Sequence, residues 1–391
     1  MASARRPAFL GRTAIVGVGM TAFTKSSGQT VLNLATQACR AAASDAGVSL
    51  DQVDGVMSYS WHNDSVPSQA VATALGLPDC RLLTDVSLGG QAPCYLVMQA
   101  AAAIHVGMAR NVLVFRALNG RSGVRVGSVQ VPGLAADFRY RAGVSAYPQI
   151  IALWARRYLI DTGGTPDDLA VVPIAQRHWA ADNDRAVRRS PLTMDGYHDS
   201  PMIADPFRAA DCTTEVDGAC ALLITSFDEA RDMRQTPVVL TGAAYRAGRG
   251  SGLDAGDSSW WPDLSRNYTW LLAPDLWGSA GMSPGDIDMA QLYDCFSSSV
   301  LFALEGLGLA PRGGAADLIR SGQTGPGGNL PVNTNGGLLC EGYVHGMNTL
   351  AEAVLQLQGR AGRRTVPAAR TCVVTSGALT DGSALVLART G

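Results

Sequence analysis

Lysine is all but missing from this chain: Lys25 is the only one, and arginine carries nearly all the positive charge. Arginine suits phosphate recognition, but 31 basic residues against 33 acidic ones leave a net charge of −2. That balance excludes any general attraction to nucleic acid or acidic membranes. Long apolar runs are missing too. No stretch reaches the ~18 residues from which a membrane span is read, and no apolar segment follows Arg5 and Arg6 as a secretory signal requires. The eight cysteines, Cys39, Cys80, Cys94, Cys212, Cys220, Cys295, Cys340 and Cys372, are scattered and form no Cys-x-x-Cys pair. A zinc site and a disulfide framework are therefore not expected. The cysteines read as small buried hydrophobes in a reducing cytoplasm.

What is present is core. Hydrophobic residues make up 47% of the 391 and charged residues 16%, enough for more than one average domain. Thr13–Gly19, Val53–Tyr59, Asn111–Phe115, Val216–Thr225 and Pro237–Thr241 read as buried strands. Thr30 caps a helix that Gly47 closes, and Leu96–His105 is a helix of small residues after the turn Ser87–Cys94. Strand and helix alternate at α/β spacing. A long polar insertion, about residues 118–206, interrupts the rhythm, and Thr165-Pro-Asp-Asp168 within it starts a helix.

An internal repeat follows. Ala46 to Asp54 and Tyr59 resemble Ala280 to Asp288 and Tyr293 at a constant offset, and Gly89-Gly90 and Gly336-Gly337 each precede a helix. The expectation is two pseudo-symmetric α/β halves, 1–235 and 236–391, in an αβαβα layering with a loop insertion. Sites in such sheets lie at strand ends, where the glycine turns are.

The stretch Asn333 to Gly346 passes from strand to helix and continues into the Ala/Leu-rich Met347–Leu357. It resembles the C-terminal active-site loop of the thiolase superfamily, N-x-x-G-G-x-I-A-x-G-H-P-x-G, with Asn333, Gly336, Gly337, Gly342 and Gly346 in register. The family's histidine falls on Tyr343 and its proline on Val344. The resemblance to the sterol-carrier or lipid-transfer branch spans nearly the whole chain. It includes Arg177-His178, Asn183, Asp195-x-Tyr197-x-x-Ser200-Pro, and Pro206 to Asp217-Gly-Ala.

The resemblance also implies a change of chemistry. The acyl-accepting cysteine falls on Gly90, the second cysteine on Ser376, and the N-E-A-F or H-D-C-F motif reads Tyr293-Asp-Cys-Phe296. Without a thiolate there is no acyl-enzyme. Two phenols stand where the family holds a thioester oxygen, and a phenol can donate a hydrogen bond or act as acid or base. Enolate chemistry is kept and acyl transfer is lost, which leaves retro-aldol cleavage of a β-hydroxyacyl-CoA.

The chain is similar to the steroid side-chain-cleaving aldolases of bacterial cholesterol degradation. That similarity implies cleavage of 17-hydroxy-3-oxo-pregnene-20-carboxyl-CoA to androstenedione and propionyl-CoA. It also implies a homodimer, and an OB-fold partner of the kind attached to a hydratase subunit. Coenzyme A would be part of the substrate, with no further cofactor and no metal. Tyr293 and Tyr343 are the catalytic candidates. Which one is the base stays open, with Tyr343 preferred.

Around them, His345 is either a solvated loop residue or a helper that lowers the Tyr343 phenol pKa. Asp294 is an anchor or a helix cap, Tyr245 a pocket wall, and Gly90 a tight turn that leaves room for substrate. Ser376 is a further supporting candidate. Arg121, Arg125, Arg139 and Arg141 are candidates for the coenzyme A phosphates. The competing readings are a divergent acetyl-CoA acetyltransferase or thiolase using Cys94 or Cys340, and a non-catalytic acyl-CoA or lipid-binding subunit.

Overall fold

The computed structural model describes residues 6–128, 136–249, 251 and 260–390; Arg5 and residues 129–135 of the insertion lie outside that range. The strands are β1 (Thr13–Met20), β2 (Gly55–Ser60), β3 (Leu82–Ser87), β4 (Val112–Asn119), β5 (Met202–Ala204), β6 (Phe207–Arg208), β7 (Asp217–Ser226), β8 (Val238–Ala247), β9 (Met289–Gln291), β10 (Thr371–Ser376) and β11 (Asp381–Arg389). The first helices are α1 (Val31–Ala46), α2 (Ser68–Leu75), α3 (Ala92–His105), α4 (Ala136–Arg141), α5 (Tyr147–Thr162), α6 (Pro166–Ala181), α7 (Met194–His198) and α8 (Phe227–Ala230). They are followed by α9 (Thr269–Ala280), α10 (Ser297–Gly306), α11 (Ala315–Arg320), α12 (Gly337–Cys340) and α13 (Met347–Leu357). Among the described residues, no helix is long and apolar enough to cross a membrane.

Nine strands of the described residues form one mixed sheet in the order β3-β2-β4-β7-β1-β8-β11-β10-β9. The pattern repeats outward from the β1–β8 junction. β7 lies antiparallel to both β1 and β4, and β2 runs parallel to β4 and β3. Correspondingly, β11 lies antiparallel to both β8 and β10, and β9 runs parallel to β10. The counterpart of β3 shrinks to a single parallel bridge, Ala290 to Val332. β1 and β8 meet over only two residue pairs, Ala14–Val239 and Ile15–Val238.

The sequence repeat has a structural basis. α1 ends on Gly47 at φ 76°, and α9 ends on Gly281 at φ 65°; each is followed by a 3₁₀ turn into a strand, β2 or β9. Glycine accepts that left-handed conformation without a Cβ penalty.

Layering follows from which faces are apolar. α1 packs on β1, β4 and β7, and α9 packs on β8 and β11 from the far side. α3 and α13 lie in the middle, touching strands of both arms of the sheet. Every residue of α13 is buried, as befits a helix with no solvent face. The insertion, expected as a loop, is mostly helical among its described residues: α5 and α6 bury Trp154, Tyr158, Leu169 and Val172 in the same core as α10. Their interspersed arginines and aspartates mask the apolar faces in the sequence.

Burying all of α13 also buries Glu352. Its carboxylate accepts from Arg364 Nη2 at 2.9 Å and from Thr334 Oγ1 at 2.9 Å. Removing one partner of a fully buried pair leaves the other charge uncompensated. Glu352→Ala should therefore lower stability by about 3–5 kcal/mol, measured as an earlier urea unfolding midpoint; an unchanged midpoint contradicts this.

Candidate active site

Tyr293 lies two residues past the end of the short β9, and its position is set by hydrogen bonds around it. The Asn333 side chain pairs like a strand with Leu292, accepting from its N–H at 2.6 Å and donating to its carbonyl at 3.0 Å. Asn333 does this at φ 50°, a conformation asparagine tolerates better than most residues. Tyr293 N–H donates to Thr375 Oγ1 at 2.9 Å. The next residue, Asp294, accepts from the N–H groups of Leu338 (2.9 Å) and Leu339 (3.1 Å). Asp294 therefore caps α12 rather than its own helix, tying the Tyr293 loop to the Tyr343 loop. A Cβ on Gly337 would come within 2.1 Å of Asp294 Oδ2, which is why the Gly-Gly pair is needed there.

Tyr343 is held from the other side. Its N–H donates to Thr214 O at 2.8 Å, and Thr213 N–H donates to Cys295 O at 3.3 Å. The segment between the insertion and β7 thus clamps both tyrosine loops. The two phenol oxygens lie 2.8 Å apart, with the residues 3% and 9% exposed. A Cβ at Gly90 would sit 1.9 Å from Tyr293 Oη. The absent side chain at residue 90 is the space the phenol occupies.

Both rings line a cavity of about 770 Å³, together with Gly90, Tyr245, Cys295 and His345. Burial pushes both phenols well above their usual range. Tyr245 packs its ring 4.8 Å from Tyr95, and burial, then the Asp381 charge, pushes its phenol up to about 12.

The remaining candidates sit elsewhere. Asp294 lies behind the loops rather than on the cavity wall, and burial raises its carboxyl to about 7 against the two amides that stabilise the anion. Ser376 does not line the cavity either; its Oγ donates to Cys94 Sγ at 3.2 Å. Burial pushes the Cys94 and Cys340 thiols up to about 12, and neither lines the cavity. Cys295 does line it, and burial pushes its thiol up to about 12 as well. Of the four arginine candidates only Arg125 lines the cavity, where it pairs with Glu215 at 2.5 Å.

His345 is neither solvated nor cationic. It is 1% exposed, and burial, then the Arg116 charge, lowers its pKa to about 3. Its Nδ1 accepts from Arg116, whose Nη2 meets Asp64 Oδ2 at 2.5 Å. Sequence reasoning missed Arg116 and Asp64. The one available signal was a lone arginine inside the apolar run Val112–Asn119, and it is fully buried there.

Comparison with known proteins identifies the family. A family model described as "Thiolase C-terminal domain-like" matches residues 258–389. The chain is 38% identical over 389 residues to the 17-hydroxy-3-oxo-4-pregnene-20-carboxyl-CoA lyase of Mycobacterium tuberculosis, covering 96% of this chain and 99% of that protein. It is 37% identical to the steroid side-chain-cleaving aldolase of Thermomonospora curvata, covering 89% of this chain and 91% of that one. The solved Ltp2-ChsH2(DUF35) aldolase superposes with a TM-score of 0.91 at 35% identity, over 98% of this chain and 99% of that one. Conserved scaffold, lost thiolate and paired phenols converge on one assignment: the chain belongs to the thiolase superfamily, in the sterol-carrier branch that contains the steroid side-chain-cleaving aldolases.

Proposed function

We propose that this protein is a carbon–carbon lyase that cleaves 17-hydroxy-3-oxo-4-pregnene-20-carboxyl-CoA by retro-aldol reaction. The observation that carries this reading is the 2.8 Å contact between Tyr293 Oη and Tyr343 Oη at a cavity wall with no ionisable thiol. The tertiary hydroxyl loses its proton, the Cα–Cβ bond breaks, and the C17 ketone leaves. The remaining propionyl-CoA enolate gains a proton at Cα.

The proton count closes within the phenol pair. The hydroxyl proton passes to Tyr343, Tyr343 passes its own to Tyr293, and Tyr293 protonates the enolate carbon. No phenol need be ionised at rest, which suits two buried rings. Tyr343 takes the base role because the Arg116 charge favours its anion. A divergent thiolase is not supported, since burial pushes both thiols that line the cavity, Cys212 and Cys295, up to about 12.

The similarity to the Ltp2-ChsH2(DUF35) aldolase supports assembly with a DUF35-type partner; an OB-fold in that partner, a homodimeric core and a cytoplasmic location belong to the proposed reading.

With such a partner present, Tyr293→Phe and Tyr343→Phe should each lower kcat by about 10²–10⁴-fold, followed as ketone release by chromatography. Full activity in either variant would falsify the relay. Gly90→Ala pushes a methyl group into the Tyr293 oxygen, so its ketone release should fall comparably while the protein stays folded by circular dichroism. Because burial raises both phenols, neither titrates near neutrality. The kcat/KM profile should be flat between about pH 6 and 9, whereas a resting phenolate base would give about one decade per pH unit.

A further inference from the structure

Proton transfer is covered by the two phenols, but negative charge also develops on the thioester oxygen. We propose that Arg116 and Asp64 are positioning residues that hold His345 neutral with its proton on Nε2, so that this N–H donates to the thioester oxygen as it becomes the enolate oxygen. The inference rests on the aldolase reading and extends it to residues outside the tyrosine pair.

The geometry fixes the tautomer. Arg116 Nε and Nη2 reach His345 Nδ1 at 3.2 and 2.7 Å. A guanidinium only donates, so Nδ1 must offer its lone pair and the ring proton must lie on Nε2. The guanidinium is locked in turn: Nη2 meets Asp64 Oδ2 at 2.5 Å, and Nη1 donates to Tyr59 O at 3.0 Å. Asp64 is itself held by Trp61 N–H at 2.8 Å. Tyr59 Oη donates to His345 O at 3.1 Å, and His345 keeps φ 48°, in the left-handed region.

No protein group among the described residues bonds Nε2. The ring lies on the cavity wall, edge-on to Tyr343 with centroids 4.6 Å apart. The titratable and charged groups facing it are Arg116 from β4, Asp64 from the turn after β2, Tyr59 from β2, and Tyr343 from its own loop. A second cation beside Arg116 is disfavoured, which keeps the ring neutral. A neutral donor can stabilise an enolate oxygen without protonating it.

Nitrogen-15 spectra of the full chain test the tautomer without any substrate. The sequence holds five histidines, so a His345→Gln variant identifies the signal. The expected signal is a neutral Nε2–H ring that does not titrate between about pH 5 and 8. Arg116→Met leaves Asp64 facing the ring, so His345 should then titrate in that window, and kcat should acquire an acidic limb.

In turnover with the DUF35-type partner, His345→Leu should lower kcat by about 10²–10³-fold. His345→Gln, which keeps an N–H donor, should recover at least about tenfold of that loss, with KM changing less than about threefold in both. An Nδ1–H tautomer, wild-type titration in the window, equal losses in Leu and Gln, or a loss confined to KM overturns the proposal. If Arg116→Met does not fold, the wild-type spectra and the His345 pair still decide. A wild-type chain that leaves the steroid thioester intact sinks the aldolase reading and the donor role with it, while the tautomer measurement stands separately.

Discussion

Buried carboxylates hold this site together. The loop from Asn333 to Gly346 is buried throughout, so each of its polar groups needs a protein partner. Glu341 accepts from Asn183 (2.9 Å) and Arg185 (3.1 Å) on one oxygen, and from Asn335 (2.6 Å) and Asn348 (2.7 Å) on the other. Asp294 caps α12, and Glu352 joins Thr334 to Arg364. An unpaired carboxylate at such depth is strongly unfavourable, so each one forces its partners into a single arrangement. Those partners come from the insertion, from α13 and the turn after it, and from the loop itself. The position of Tyr343 is thus a property of the whole C-terminal packing and of the insertion that clamps it.

Against that rigid frame, one missing side chain decides the chemistry. The space beside Gly90 is filled by the Tyr293 phenol, and a Cβ there would collide with it. A nucleophile at residue 90 and a phenol at residue 293 therefore exclude each other on steric grounds. The exchange is coupled: opening residue 90 to glycine admits the phenol, and the phenol closes the place where a thiol would stand. The internal repeat adds a second division of labour. Tyr59, near the end of β2, and Tyr293, just beyond β9, occupy matching positions in the repeat, yet Tyr293 faces the cavity while Tyr59 hydrogen-bonds the His345 carbonyl from behind.

The strands, the repeat and the glycine turns were legible in the sequence because each is local: an apolar run, a left-handed glycine, a cap. The tyrosine pair was legible because two motif positions far apart in the chain changed together. Ser376 was misleading. Its motif position lies at a strand end, but its hydroxyl turns to Cys94 rather than to the cavity. Asp294 read as either an anchor or a helix cap, and it is both: it caps a helix more than forty residues away in sequence and so ties the two loops together. Periodicity carries no trace of such contacts, which exist only once the two loops meet. Arg116 and Asp64 were invisible for the same reason, because a strand pattern shows where an arginine is but not which carboxylate neutralises it.

Burial explains why phenols suit this cavity better than ions. Desolvation raises the Cys295 thiol and the Tyr293 and Tyr343 phenols, so a resting anion is costly there. A chain of neutral donors and acceptors avoids that cost, because each phenol gains a proton as it gives one up. Charge then appears only transiently, on the enolate. The charges beside His345, Arg116 and Asp64, are paired at 2.5 Å. They leave a dipole at His345 rather than a net field that would trap the enolate. On this reading the site separates moving the proton, done by the tyrosine pair, from holding the charge, done by His345.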